Sequence, residues 1–196
     1  TWYEGRNGAL YIGDTYQGGN HVLNVLPETI GNLSKLTVLW LEENNLTVLP
    51  ESIGSLSLLT NLVLRFNQVV SLPESLGDLS NLTYLDLGYN SLESIPMSVG
   101  NLQSLEYLWI FDNNLSSLPS TLCDLNLDWD GTNYDALPYF ACGANTLCDT
   151  SNIPECASNS DFFDSSIDPD YYSFTITAPQ DCSCNNNGDI NFDGIT

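Results

Sequence analysis

Asp189, Asn191 and Asp193, with Gly194 behind them, alternate so that their side-chain oxygens can converge on one point. This D-x-N-x-D-G order is the first half of a calcium loop: the glycine permits the sharp turn, and the Ile195 carbonyl would add a backbone ligand. The chain ends at Thr196, before the acidic residue that closes such a loop. Calcium is therefore expected only if residues beyond the chain or from a neighbour complete the site, and a polar tail is the alternative.

Cysteine chemistry is confined to one end. Cys123, Cys142, Cys148, Cys156, Cys182 and Cys184 all follow the regular part of the sequence. An even number with no C-x-x-C pair and only a distant His21 argues for disulfides rather than zinc. Cys182 and Cys184 are too close to pair with each other, and the connectivity stays open. Disulfides predict an oxidising, extracellular setting.

Acid–base or nucleophilic catalysis finds no support. A single histidine offers no base beside a nucleophile, and G-x-S-x-G, H-E-x-x-H, phosphate-loop and dinucleotide patterns are all missing. The sequence is expected to belong to a protein that is not an enzyme.

The elements that would position any site come from a repeat. Residues 26–118 recur every 23 residues as LPETIGNLSKLTVLWLEENNLTV, LPESIGSLSLLTNLVLRFNQVVS, LPESLGDLSNLTYLDLGYNSLES and IPMSVGNLQSLEYLWIFDNNLSS, and a further unit opens at Leu118. Pro27, Pro50, Pro73, Pro96 and Pro119 form one column; Gly31, Gly54, Gly77 and Gly100 a second; Asn44, Asn67, Asn90 and Asn113 a third. Such a period marks a solenoid in which each unit buries its apolar side against its neighbours. Leu39 and Leu41, Leu62 and Leu64, Leu85 and Leu87, Leu108 and Ile110 alternate as half-buried strands do. The Asn amide is placed to satisfy backbone groups of the turn, and of the next coil, that no strand pairs. Pro is expected to open a short outer helical turn, and Gly to end it.

These units, read as L-x-x-L-x-L-x-x-N-x-L at Leu36–Leu46, Leu59–Val69, Leu82–Leu92 and Leu105–Leu115, resemble leucine-rich repeats. The L-P-x-x-I-G-x-L-x-x-L extension resembles the short plant-like or Ras-group type. The resemblance covers about half the chain. It implies an α/β solenoid: a right-handed superhelix with a parallel β-sheet on the concave face, short helices or 3-10 turns outside, and a loop-rich disulfide cap. It is nearly silent on ligand, because the fold serves many functions. The D-x-N-x-D-G run is likewise similar to the calcium loops of dockerins and thrombospondin-type repeats.

Organisation follows from this. Residues 1–25 read as a degenerate first repeat, with Ala9-Leu10-Tyr11-Ile12 as its strand. Residues 26–129 are the repeats; in the fifth unit Cys123 takes the glycine position and the outer helix is expected to be dropped, with Asp124 to Trp129 leading straight into a last strand. Residues 130–184 show no repeat and read as a disulfide-bonded cap, and 185–196 as a linker with the calcium-loop-like motif.

On the strands, the positions facing away from the core leucines are unusually aromatic. Trp40, Phe66, Tyr84, Tyr89, Tyr107, Trp109, Phe111 and Trp129 are expected on the concave face as a surface for a protein or glycan partner. Cross-strand packing that only stiffens the sheet is the alternative. Asn32, Asn45, Asn81 and Asn114 begin N-x-S/T sequons, no more than chance gives, and are glycosylation acceptors if the chain is extracellular.

Charge narrows the partners. Twenty-five acidic residues face three basic ones, Arg6, Lys35 and Arg65, for a formal net charge of -22. That excludes a phosphate-neutralising patch for nucleic acid and disfavours anionic lipid. No apolar run is long enough to span a membrane. The chain begins at Thr1 with no signal-peptide pattern, which predicts a mature or excised piece of a longer product. The resulting expectation is a non-catalytic extracellular binding module. A structural segment of a matrix, adhesin or surface-filament protein, associating with copies of itself or adjoining domains, is the first alternative. An inhibitor of a polysaccharide-degrading enzyme is the weaker one.

Overall fold

The computed structural model describes residues 3–5, 8–13, 22–129, 140–147 and 150–158, with only the backbone described at 3–5 and 150. One sheet carries seven strands in chain order: β1 Tyr3–Gly5, β2 Ala9–Tyr11, β3 Val38–Trp40, β4 Asn61–Val63, β5 Tyr84–Asp86, β6 Tyr107–Trp109 and β7 Phe140–Ala141. The order follows from the alternation, because each central residue of β2 to β6 (Leu10, Leu39, Leu62, Leu85 and Leu108) is buried. Strands β2 to β7 are parallel and in register, so Leu39, Leu62, Leu85, Leu108 and Phe140 form one stacked row. β1 runs antiparallel to β2 and so pairs the first edge of the sheet.

The far side of each coil is a five-residue 3-10 turn: Glu28–Asn32, Glu51–Ser55, Glu74–Asp78, Met97–Asn101 and Ser120–Asp124. Pro stands just before each turn, not as its first helical residue. Its ψ near 150 is extended, and its carbonyl accepts the amide three residues on, as from Ile30 to Pro27 at 3.0 Å. The last of these turns also corrects the expectation that the fifth unit drops its outer helix.

The glycine column does not end the turns, which run one residue past it. It lets neighbouring turns touch. A Cβ on Gly77 would lie 2.6 Å from the Ser98 Cβ and closer still to the Ser98 carbonyl oxygen, and Gly31, Gly54 and Gly100 face the next coil in the same way. Backbone cannot move aside as a flexible side chain can. Gly77→Ala should therefore force two coils apart, at about 1–3 kcal/mol, seen as a melting temperature lower by roughly 5 °C. A shift under about 1 °C would show that the outer turns do not bear on each other.

Between sheet and turns lies a single apolar core. Leu41, Leu46, Ile53, Leu56, Leu59, Leu64, Leu76, Leu79 and Leu82 are all fully buried there. At about 1.5–3 kcal/mol per buried side chain, this stack is the main source of stability. The asparagine column closes the remaining polar gap. Asn67 Nδ2 donates to the carbonyls of Leu41 at 2.8 Å and Leu64 at 2.9 Å, and its Oδ1 accepts the Leu46 amide at 3.0 Å. Asn90 and Asn113 repeat the pattern one coil on each. The bond between coils thus reaches back to the preceding coil, rather than forward as the sequence suggested. A second ladder runs through threonine: Thr60 Oγ1 donates to the Thr37 carbonyl at 2.9 Å, and Thr83 Oγ1 to that of Thr60 at 3.1 Å.

The sheet does not finish at Trp129. Residues 125–129 form no strand, and β7 comes from the region expected to lack repeats. Leu108 pairs with Phe140, 32 residues on, where partners from β3 to β6 are 23 apart. Asn145 then takes the column position, donating to the Ile110 and Cys142 carbonyls at 2.9 Å and accepting the Leu115 amide at 3.0 Å. One further coil is therefore built from Phe140, Cys142, Asn145 and Leu147, all buried. Beyond it, the short helix Glu155–Ser158 is tied by the Cys123–Cys156 disulfide to the last outer turn. The disulfide closes a span of 33 residues and removes chain freedom from the unfolded state. Cys142 is also disulfide-bonded. Its partner lies outside the described residues, as do Cys148, Cys182 and Cys184.

Candidate functional site

The concave face is a grid whose rows are strands and whose columns cross them. One column is Val38, Asn61, Tyr84, Tyr107; the next is Trp40, Val63, Asp86, Trp109, Ala141. In a parallel, in-register sheet, side chains in one column lie about 4.8 Å apart, close enough for rings to meet. Tyr84 meets Trp109 edge-on with centroids 5.0 Å apart, and Tyr107 at 5.8 Å; Tyr107 and Trp109 are 6.5 Å apart.

Above the strand ends lies a second ring cluster. Phe66 and Tyr89 stack at 4.4 Å and 11°, and Phe111 meets Tyr89 edge-on at 5.2 Å. Gly88 makes room for Phe111, because any Cβ there would sit 2.6 Å from the ring. The two clusters join through Trp109, Phe111 and Ala141, which form a small apolar core of their own with Tyr84 and Tyr89 packed against it.

Burial sorts the eight expected aromatics into three groups. Trp40, Tyr84, Tyr89 and Tyr107 are half-buried and Phe66 is exposed, so these face outward. Trp109 and Phe111 are only 2% and 6% exposed. They are a floor beneath the partner-facing surface on which they were expected, since alternation assigns a side of the strand without saying what lies over it. Trp129 is not on this face: it packs on the main core, 5.1 Å from Phe140, because the chain leaves the sheet before it. The face gains one ring that the sequence reading did not assign to it, Tyr11, 6.1 Å from Trp40. The two occupy the same column, and Tyr11 was legible as the residue between Leu10 and Ile12.

Polar groups on the grid are tied down. Trp40 Nε1 donates to Glu42 Oε2 at 2.7 Å, and Glu42 Oε1 pairs with Arg65 Nε at 3.3 Å. Arg65 is buried, with its Cζ 4.8 Å from the Phe66 centroid and 5.8 Å from that of Tyr89. Asp86 is buried and accepts the Gly88 amide at 3.0 Å. No helix among the described residues is long and apolar enough to cross a membrane.

The sequon residues Asn32, Asn45, Asn81 and Asn114 are all exposed. The calcium-loop residues Asp189, Asn191, Asp193 and Ile195 lie outside the described residues, and so does His21.

Two family models match the chain, both described as leucine-rich repeat, at residues 35–56 and 57–115. The chain carries leucine-rich repeats. A leucine-rich-repeat protein of Leptospira interrogans, LIC12759, is similar at 30% identity and TM-score 0.56, over 70% of this chain and 38% of that one. The plant peptide hormone receptor RGFR1, solved in complex with RGF2, is similar at 30% identity and TM-score 0.51, over 61% of this chain and 19% of the receptor. A plant ice-binding protein shares the fold at 24% identity and TM-score 0.58, over 79% of this chain and 46% of that one. This chain thus spans less than half the length of each of these structures. A search of curated proteins found no match. The matched repeats include every aromatic position of the concave face from Trp40 to Phe111.

Proposed function

We propose that this chain is a non-catalytic, extracellular recognition module that takes a protein or peptide partner on its concave sheet. One observation carries the reading. Half-exposed rings, Trp40, Tyr84, Tyr89 and Tyr107, stand with exposed Phe66 on one face, and Trp109 and Phe111 form a packed apolar floor. Rigid aromatic anchors over a dry base resemble the centres of protein interfaces. Scaffold needs alone would be met by aliphatic side chains such as Val63 at the same grid positions.

The structure of RGFR1 with RGF2, a peptide hormone receptor in complex, supports a peptide or protein partner. The disulfide and the absence of free cysteines among the described residues support the extracellular setting. The 23-residue period with 3-10 outer turns supports the plant-like repeat type. The Cys123–Cys156 bond supports a disulfide-stapled cap.

Wild type and a Tyr84→Ala/Tyr107→Ala variant, matched by circular dichroism, would be screened against displayed peptides and secreted proteins. Binders of the wild type should lose affinity for the variant by roughly 30-fold, or about 2 kcal/mol. Binders that ignore both substitutions would place recognition elsewhere and leave the rings as sheet stiffeners.

A further inference from the structure

Where each strand ends, one residue per coil adopts a left-handed backbone: Glu43, Phe66, Tyr89, Asp112 and Ala144, with φ between 50 and 55. Bulky side chains rarely take this conformation, and glycine or asparagine would meet it at lower cost. Four of these five positions instead carry, in order across the coils, a carboxylate, a ring, a ring and a carboxylate.

The rings of this column have already shown what they hold. The guanidinium of Arg65 lies over Phe66 and beside Tyr89, an attraction between a cation and the negative faces of the rings. Arg65 is itself buried and paired with Glu42, so its charge is largely balanced. Phe66 is the one described aromatic that is fully on the exposed side, at 37%. Around it the chain offers almost no competing cation, since Arg6, Lys35 and Arg65 are its only basic residues against 25 acidic ones.

Resting on the reading of the concave sheet as the partner site, we infer that the partner delivers an arginine side chain to the Glu43–Phe66–Tyr89–Asp112 column. Each carboxylate stands one coil from a ring, about 5 Å along the column. A planar guanidinium can lie on the ring and reach a neighbouring carboxylate through its N–H fork. A lysine ammonium has no flat face to stack and only a point charge to offer. The occupant is therefore an arginine-bearing extended segment of a protein, brought to the acidic chain by long-range attraction.

The test uses the whole chain at physiological salt, where diffuse attraction is screened. Probes are Gly-Arg, Gly-Lys and Gly-Glu repeat peptides of equal length, titrated calorimetrically. The Gly-Arg peptide should bind about fivefold or more tighter than Gly-Lys, and Gly-Glu should not bind. Glu43→Gln and Phe66→Ala should each weaken Gly-Arg binding about fivefold to tenfold. Glu51→Gln/Glu93→Gln, which removes two exposed acidic charges elsewhere, should change it less than about twofold. Equal losses from Glu43→Gln and from the control, no loss from Phe66→Ala, or equal binding of the arginine and lysine peptides would overturn the inference. A partner that depends on Tyr84 and Tyr107 yet ignores Phe66 and Glu43 would overturn the arginine site and leave the concave-face reading intact.

Discussion

Asn67→Ala should lower the melting temperature by about 8 °C, with the far-ultraviolet spectrum of the folded protein little changed. Asn67 is buried and bonds two coils at once, through the Leu41 and Leu64 carbonyls and the Leu46 amide. Alanine orphans the buried Leu46 amide and takes one of two donors from the Leu41 and Leu64 carbonyls, which keep Asn44 Nδ2 and Asn90 Nδ2. The orphaned amide costs about 1–3 kcal/mol and the two weakened carbonyls less, so a total of roughly 3 kcal/mol is expected, at about 2–4 °C per kcal/mol for a chain of this size. Asn67→Asp is the informative companion. It keeps the acceptor for Leu46 but, ionised, turns an oxygen toward the Leu41 and Leu64 carbonyls, so at neutral pH it should melt at or below Asn67→Ala and recover as the pH falls and the carboxyl regains an O–H donor. Were Asn67→Ala to melt within about 2 °C of wild type, the ladder would be incidental to the stacking.

Trp109→Ala carries an expected cost of about 3–5 kcal/mol, the usual range for emptying a large buried aromatic. Trp109 is 2% exposed and holds Tyr84 and Tyr107 by their edges. Two readouts separate its role from that of the outer rings. Thermal melting should report a loss comparable to a core leucine. Binding should also fall, because Tyr84 loses the surface that orients it. Phe66→Ala, at an exposed position, should cost under about 1 kcal/mol in stability. If Trp109→Ala melted like Phe66→Ala, the floor would be loosely packed and the two-layer description of the face would fail.

The contrast between these residues shows what the sequence could and could not say. Register, strand direction and the asparagine column were legible, though not the coil to which its bonds reach, since periodicity alone places Leu39, Leu62 and Asn67 in one repeating geometry. The glycine column was legible as a column but not as a contact. Its reason lies in the neighbouring coil, where Ser98 presses on Gly77. The last coil was hidden for a chemical reason. Its Leu137-x-x-Phe140-x-Cys142-x-x-Asn145-x-Leu147 pattern exchanges two leucines for other apolar residues, and it comes 32 residues after its predecessor instead of 23. Asn145 with Leu147 two residues on was the remaining signal. The burial of Trp109 and the position of Trp129 depend on what packs over a strand and where the chain leaves the sheet. Alternation along one strand encodes neither.

The uniformity of the seams between coils bears on how such a chain can change over generations. Each coil meets only its neighbours, and each junction between the regular repeats uses the same asparagine, glycine and leucine positions. Duplicating one 23-residue unit in the gene would therefore add one junction built on the same positions, keep the two that flank it, and lengthen the concave sheet by about 4.8 Å. Deleting a unit would shorten it by the same step. The longer separation between β6 and β7 shows that a junction also survives extra chain between its strands. Reach across a partner can thus evolve in fixed increments, while the identity of the concave side chains is tuned separately, one coil at a time.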